Sequence, residues 1–268
     1  MIELILTVAA VVLYLTAGTG LALRLAGFET VARARPAFLG AGVLGVAAHA
    51  VLLYHTIWHG DVLNLDFFNA ASLIAWLMAA LILLAALRRP TEDLGIVIMP
   101  LAAVTLTINH LVSPDIVRTT PFPPGVDAHI FFSVVAYSIL AIAALQSMVL
   151  AAQDYQLRHK HPHGFIRMLP PLQTMEDLLF QMLTIGFAML TLALATGMFY
   201  LEDIFAQHLV HKTVLSIVAW LVFGTLLWGR WQFGWRGPKA IRWTLGGFFA
   251  LMLAYFGSKL VLEFIVHR

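Results

Sequence analysis

Residues 67–87 read FFNAASLIAWLMAALILLAAL and hold no Asp, Glu, Lys or Arg. About 20 such residues, rising 1.5 Å each in a helix, match the hydrocarbon thickness of a bilayer. The stretch therefore predicts a membrane-crossing helix. Working outward from it, seven more apolar runs appear: Leu4–Leu23, Ala37–Trp58, Leu94–Val112, Ala128–Ala151, Leu178–Phe199, Val214–Trp228 and Ile241–Val266. The seventh is short and is expected to begin near His208. Long runs with glycine inside them suit helices, because barrel strands alternate over about 10 residues. The expected fold class is all-α: a polytopic integral membrane protein with eight transmembrane helices. It reads as a single domain over residues 1–268, with no internal repeat and no low-complexity tract.

Composition agrees with that reading. Hydrophobic residues make up 61% of the 268 residues and charged residues 11%, against roughly 25% charged in a soluble domain. Mean hydropathy is +0.88. Such a chain cannot cover a water-facing surface. The absence of cysteine excludes disulfide exchange, thiolate metal sites and thiol catalysis by this chain. The net charge of +2 is no argument for nucleic acid, because the basic residues sit in loops between apolar spans. Met1-Ile2-Glu3 offers no basic n-region, so the first span is read as retained and not as a cleaved signal.

Loop charge sets the expected orientation. Arg24, Arg33, Arg35, Arg88, Arg89, Arg158, Lys160, Arg167, Arg230, Arg236, Lys239 and Arg242 follow spans 1, 3, 5 and 7. The loops after spans 2, 4 and 6 hold only Arg118 and Lys212. Positive-inside bias then places both termini on the periplasmic side. Two loops are longer: the proline-rich 113–127 outside, and 152–177 inside. In the latter, Pro170-Pro171 before Leu172-Gln173-Thr174-Met175-Glu176-Asp177 predicts a short helix start feeding span 6.

Ionisable residues inside spans are functional candidates, and here they are mainly histidines. His49 lies about 13 residues from the inner end of span 2, hence about 18 Å deep. His55, His59, His110, His129, His208, His211 and His267 gather at the outer ends of spans. Each is either an interfacial residue or a ligand, since neutral imidazole binds metal or haem iron. For His49 the competing reading is a buried hydrogen bond to a neighbouring helix. The inner tract His159-Lys160-His161-Pro162-His163 reads as a solvated basic loop. The run Trp228 to Gly237, with Trp231, Trp235, Arg230 and Arg236, reads as an interfacial anchor. Lys259 and Glu263, four apart, read as a pair within span 8. No Gly-x-Ser-x-Gly, P-loop, dinucleotide glycine fingerprint or His-Glu-x-x-His is present, so no catalytic set is expected.

Several segments together carry a resemblance. His129-Ile130-Phe131-Phe132-Ser133-Val134-Val135-Ala136-Tyr137, Ala48-His49-Ala50-Val51-Leu52 followed by His59-Gly60 and Trp76, and Ala254-Tyr255-Phe256-Gly257-Ser258 resemble segments of the cytochrome c assembly family of membrane proteins. With Met168 to Leu172, Leu215 to Trp220 and Gly234 to Gly237, the chain is most similar to the YpjD branch of that family, over essentially its whole length. The resemblance implies haem handling at the outer face. By position, it implies that His129 is an axial ligand of an external haem and that His49 is a transmembrane ligand. Haem-delivering members carry a Trp-Gly-x-x-Trp-x-Trp-Asp motif in an outer loop. The corresponding loop here, Tyr200 to His208, has no Trp, and only His267 stands loosely for a second external histidine.

The expectation is therefore an inner membrane protein that binds haem b non-covalently near its periplasmic face, with an accessory or regulatory role. His129 is the first ligand candidate, and His211 or His208 its partner from span 7. Expected partners are membrane lipid, haem and another membrane protein of haem or cytochrome biogenesis, not nucleic acid. The alternative is a cofactor-free or transition-metal-binding membrane regulatory protein.

Overall fold

A computed structural model describes residues 1–28, 33–59, 62–87, 92–112, 125–159, 169–200 and 210–257. Eight helices in it are long and apolar enough to cross a membrane. They are α1 (Ile2–Leu25), α2 (Arg35–Ile57), α3 (Phe67–Ala86), α4 (Glu92–Val112), α5 (Val126–Arg158), α6 (Leu172–Tyr200), α7 (Val210–Phe233) and α8 (Gly237–Met252), the last running on as a π-helical turn, Leu253–Gly257. The only strands among the described residues are the two-residue β1 (Trp58–His59) and β2 (Val62–Leu63), an antiparallel ribbon between α2 and α3. The all-α, eight-span reading of the sequence holds. α6 starts at Leu172, directly after Pro170-Pro171, as the prolines predict.

The chain divides into two compact units, one holding α1–α4 and the other α5–α8. Each is a four-helix bundle with the same pattern of neighbours. In the first, α1 packs on α2 and α4, and α3 packs on the same two. In the second, α5 packs on α6 and α8, and α7 packs on the same two. First and third helices are therefore diagonal in both.

Small residues set the spacing. An ideal Cβ on Gly45 of α2 would lie 3.2 Å from the Tyr14 ring, so the bare glycine lets that ring lie flat along α2. In the second bundle the close α5–α6 pair rests on Gly186, where a Cβ would fall 2.7 Å from Leu140. At the loop joining α7 to α8, Glu176 of α6 accepts hydrogen bonds from Arg236 Nε (3.1 Å) and from the Gly237 backbone N–H. Arg230 pairs with Asp177 at 3.3 Å.

The tryptophan run splits in two. Trp228 and Trp231 are exposed, as an interfacial anchor requires. Trp235 instead folds back against Gly229 and Trp243, with Lys239 Nζ 4.3 Å over its ring. Lys259 and Glu263 lie outside the described residues.

Candidate functional site

The second bundle presents an imidazole at one end. Gly125 precedes α5 with φ +88°, a left-handed conformation that a side chain would strain. The Tyr200 ring packs so closely over it that a Cβ would fall 2.3 Å away. One turn into α5 stands His129, half-buried. It faces small residues on α6, where Ala193 and Gly197 are buried. His129 Nδ1 lies 2.8 Å from the Ala193 carbonyl oxygen. A carbonyl only accepts, so Nδ1 must carry the proton and donate. In the neutral ring Nε2 then keeps its lone pair. Among the described residues nothing hydrogen-bonds Nε2. A ring oriented through one nitrogen, with the other bare, is the arrangement of metal-ligating histidines.

Two turns deeper on the same helix, the Tyr137 hydroxyl donates to the Leu251 carbonyl of α8. Its ring meets Tyr255 and Phe256 edge-on at 5.8 and 6.3 Å. The helix widens into its π turn at this point. A side chain inserted beside the backbone ladder is a recognised cause of such distortion. The His129–Tyr137 spacing thus ties α5 to α6 at one level and to α8 at the next.

Of the proposed partners, His211 lies in the first turn of α7 and is exposed. α7 is diagonal to α5, and both begin at the end of the bundle where α6 finishes. Among the described residues no hydrogen bond or ring contact joins His129 to His211. His208 and His267 lie outside the described residues.

His49 sits in a different environment, fully buried in the first bundle. Its Nδ1 is 3.2 Å from the Tyr14 hydroxyl on α1, and its Nε2 is 2.9 Å from Ser72 Oγ on α3. The Tyr14 ring stands edge-on to the imidazole at 5.8 Å. One turn away, Trp76 Nε1 donates to the Val46 carbonyl (2.9 Å). Both nitrogens are engaged by protein, and three helices meet at one ring. Sequence placed His49 mid-span. Tyr14 and Ser72 were missed, because a lone hydroxyl in an apolar helix carries no periodic signal.

His55 and His110 are exposed. His159 is exposed and bonds the Tyr155 carbonyl within its own helix at 2.8 Å; His161 and His163 lie outside the described residues. Among the described residues, no three His, Asp or Glu side chains converge as a metal site.

Residues 40–266 match a family model described as cytochrome C assembly protein. The chain is 35% identical over 225 residues to inner membrane protein YpjD of Escherichia coli K12, covering 83% of this chain and 85% of that one. It is 31% identical over 242 residues to an uncharacterized 28.8 kDa protein of Azospirillum brasilense, covering 85% and 86%. A shorter match, 25% over 115 residues, reaches the cytochrome c biogenesis protein CcsA of a Picosynechococcus strain, covering 42% of this chain and 34% of that one. No solved structure matches significantly.

Proposed function

The chain belongs to the cytochrome c assembly protein family and is a multi-pass protein of the bacterial inner membrane; from that premise we propose that it binds haem b non-covalently at the periplasmic end of its second bundle, through His129. The observation that carries this reading is the state of His129. Its Nδ1 donates to Ala193 O at 2.8 Å, which fixes the tautomer and leaves Nε2 with no hydrogen-bond partner among the described residues. A haem brings its own equatorial nitrogens and asks of the protein only axial ligands. One or two imidazoles suffice, whereas a zinc site needs three or four converging side chains. When bound, haem would supply an iron centre that accepts imidazole nitrogen. The protein's part is to orient His129, to offer apolar side chains to the ring, and to keep the site at the membrane edge. The bundle end where α6 finishes and α7 begins faces the periplasm on the loop-charge argument, which also puts both termini there.

His211, in the first turn of α7, is the proposed second ligand, with His208 the other choice on the same segment. Ligation by His49 would require its Nε2 to give up Ser72, so this reading gives His49 the weaker claim. The role is accessory or regulatory in haem or cytochrome biogenesis, alongside another membrane protein of that process. A cofactor-free regulatory protein is the competing reading.

Absorption and total iron of detergent-purified protein, from cells well supplied with haem, test the proposal. The expected result is a Soret band in the wild type that falls at least tenfold in His129→Ala at near-normal expression. A colourless wild type would favour the cofactor-free reading. His211→Ala should keep most of the haem but shift the band.

A further inference from the structure

A directional chain of hydrogen bonds starts where α3 begins. Asp66, the N-cap of α3, accepts from the Asn69 backbone N–H at 2.8 Å and from Asn69 Nδ2 at 2.7 Å. An ionised carboxylate only accepts, so the Asn69 amide must turn its NH2 toward Asp66 and its oxygen away. Asn109 of α4 then donates Nδ2 to that oxygen at 3.1 Å. This in turn fixes the Asn109 amide with Oδ1 pointing onward. Both amide orientations are thus set by the carboxylate at the head of the chain.

The chain stops at Asn109 Oδ1, which is buried and meets no donor. Asn109 is 3% exposed. A second orphan is Thr7 Oγ1 on α1, whose residue is 4% exposed. The register of α1 against α4 brings the two opposite one another. Leu21 meets Gly95, Gly18 meets Pro100, and Ala10 packs with Leu106. The helices run antiparallel, so one turn beyond Ala10 and Leu106 stand Thr7 and Asn109. The contact of Ala10, Leu52 and Leu106 closes the space on the side toward His49.

A buried acceptor without a donor costs about 1–3 kcal/mol, and two facing each other in one polar layer ask for a common partner. That partner must be small and must donate to Asn109 Oδ1, because the chain from Asp66 leaves only an acceptor there. We propose that an internal water molecule bridges Thr7 Oγ1 and Asn109 Oδ1, so that hydrogen bonding runs from the cap of α3 through α4 to α1. A threonine hydroxyl donates and accepts, so it satisfies either orientation of the water. Buried waters of this kind make two to four hydrogen bonds.

Thr7→Val keeps the shape and removes the hydroxyl, and its sign is diagnostic. If Thr7 Oγ1 is an unpaired group, valine raises the thermal midpoint in detergent. If it holds a water, valine lowers the midpoint by roughly 2–8 °C, and Thr7→Ser retains it. In an Asn109→Leu background the bridge is already gone and Thr7 Oγ1 is left unpaired, so the same change should no longer lower the midpoint and should raise it instead. Equal shifts in both backgrounds, or a rise in the wild type, would overturn the proposal. Replacing sodium and ammonium salts with choline chloride should leave the wild-type midpoint unchanged. A fall that Asn109→Leu does not share would assign a cation in place of the water and overturn it too. Should Asn109→Leu not fold, a density map fine enough to show ordered water decides: a peak in hydrogen-bond reach of both groups supports the bridge, and its absence overturns it.

Discussion

The two bundles share a pattern of neighbours, and each sets one histidine, His49 or His129, against another helix, in opposite ways. In the first, His49 is sealed, and Tyr14 and Ser72 take both of its nitrogens. In the second, His129 stands half-buried at a helix start, and among the described residues only Nδ1 is taken, by a backbone carbonyl. A side chain with both nitrogens committed to protein holds helices together. One with a single nitrogen committed is oriented by the protein and can bind something else. The difference lies in what faces each ring: two hydroxyls for His49, and for His129 a carbonyl exposed by the small residues of α6.

The largest expected effect comes from His49. His49→Ala removes a fully buried ring and orphans two hydroxyls, which should cost about 3–5 kcal/mol, read as a drop in detergent melting temperature. The haem-to-protein ratio should not change. A changed Soret band in that variant would break the comparison by making His49 a ligand. Ser72→Ala leaves His49 Nε2 unpaired while keeping the ring, and should cost about 1–3 kcal/mol in the same melt. Tyr137→Phe loses the bond to Leu251 and the one its oxygen accepts from the Tyr255 backbone N–H, about 1–2 kcal/mol together, so a modest fall in melting temperature is expected. His129→Ala should cost about 1 kcal/mol or less in the haem-free protein, since its bond to Ala193 sits at a half-exposed edge. A loss there as large as that of His49→Ala would erase the distinction between the two rings.

Sequence reached the architecture because a bilayer demands long apolar helices, and every one of the eight leaves that mark. The same uniformity hides packing. Nothing in the hydropathy of α1 announces that Tyr14 meets His49, or that the register of α1 on α4 sets Thr7 at the level of Asn109. Those pairings depend on helix register, which the sequence expresses only through scattered small residues such as Gly18, Gly45 and Gly95. His129 was legible as a candidate, through its place at a span opening and, by the family resemblance, its spacing to Tyr137. Its tautomer was not legible, because that depends on a backbone carbonyl, and every residue has one. The meeting of His129 with α6, and of Tyr137 with α8, came only with the fold.

Haem titration of His129→Gly, with and without free imidazole at millimolar concentration, tests the central claim most directly. Removing the side chain leaves a half-exposed gap that imidazole can enter. The account predicts that the glycine variant fails to develop the wild-type Soret band and that added imidazole restores it. A glycine variant that takes up haem with wild-type affinity and an unchanged spectrum would contradict it.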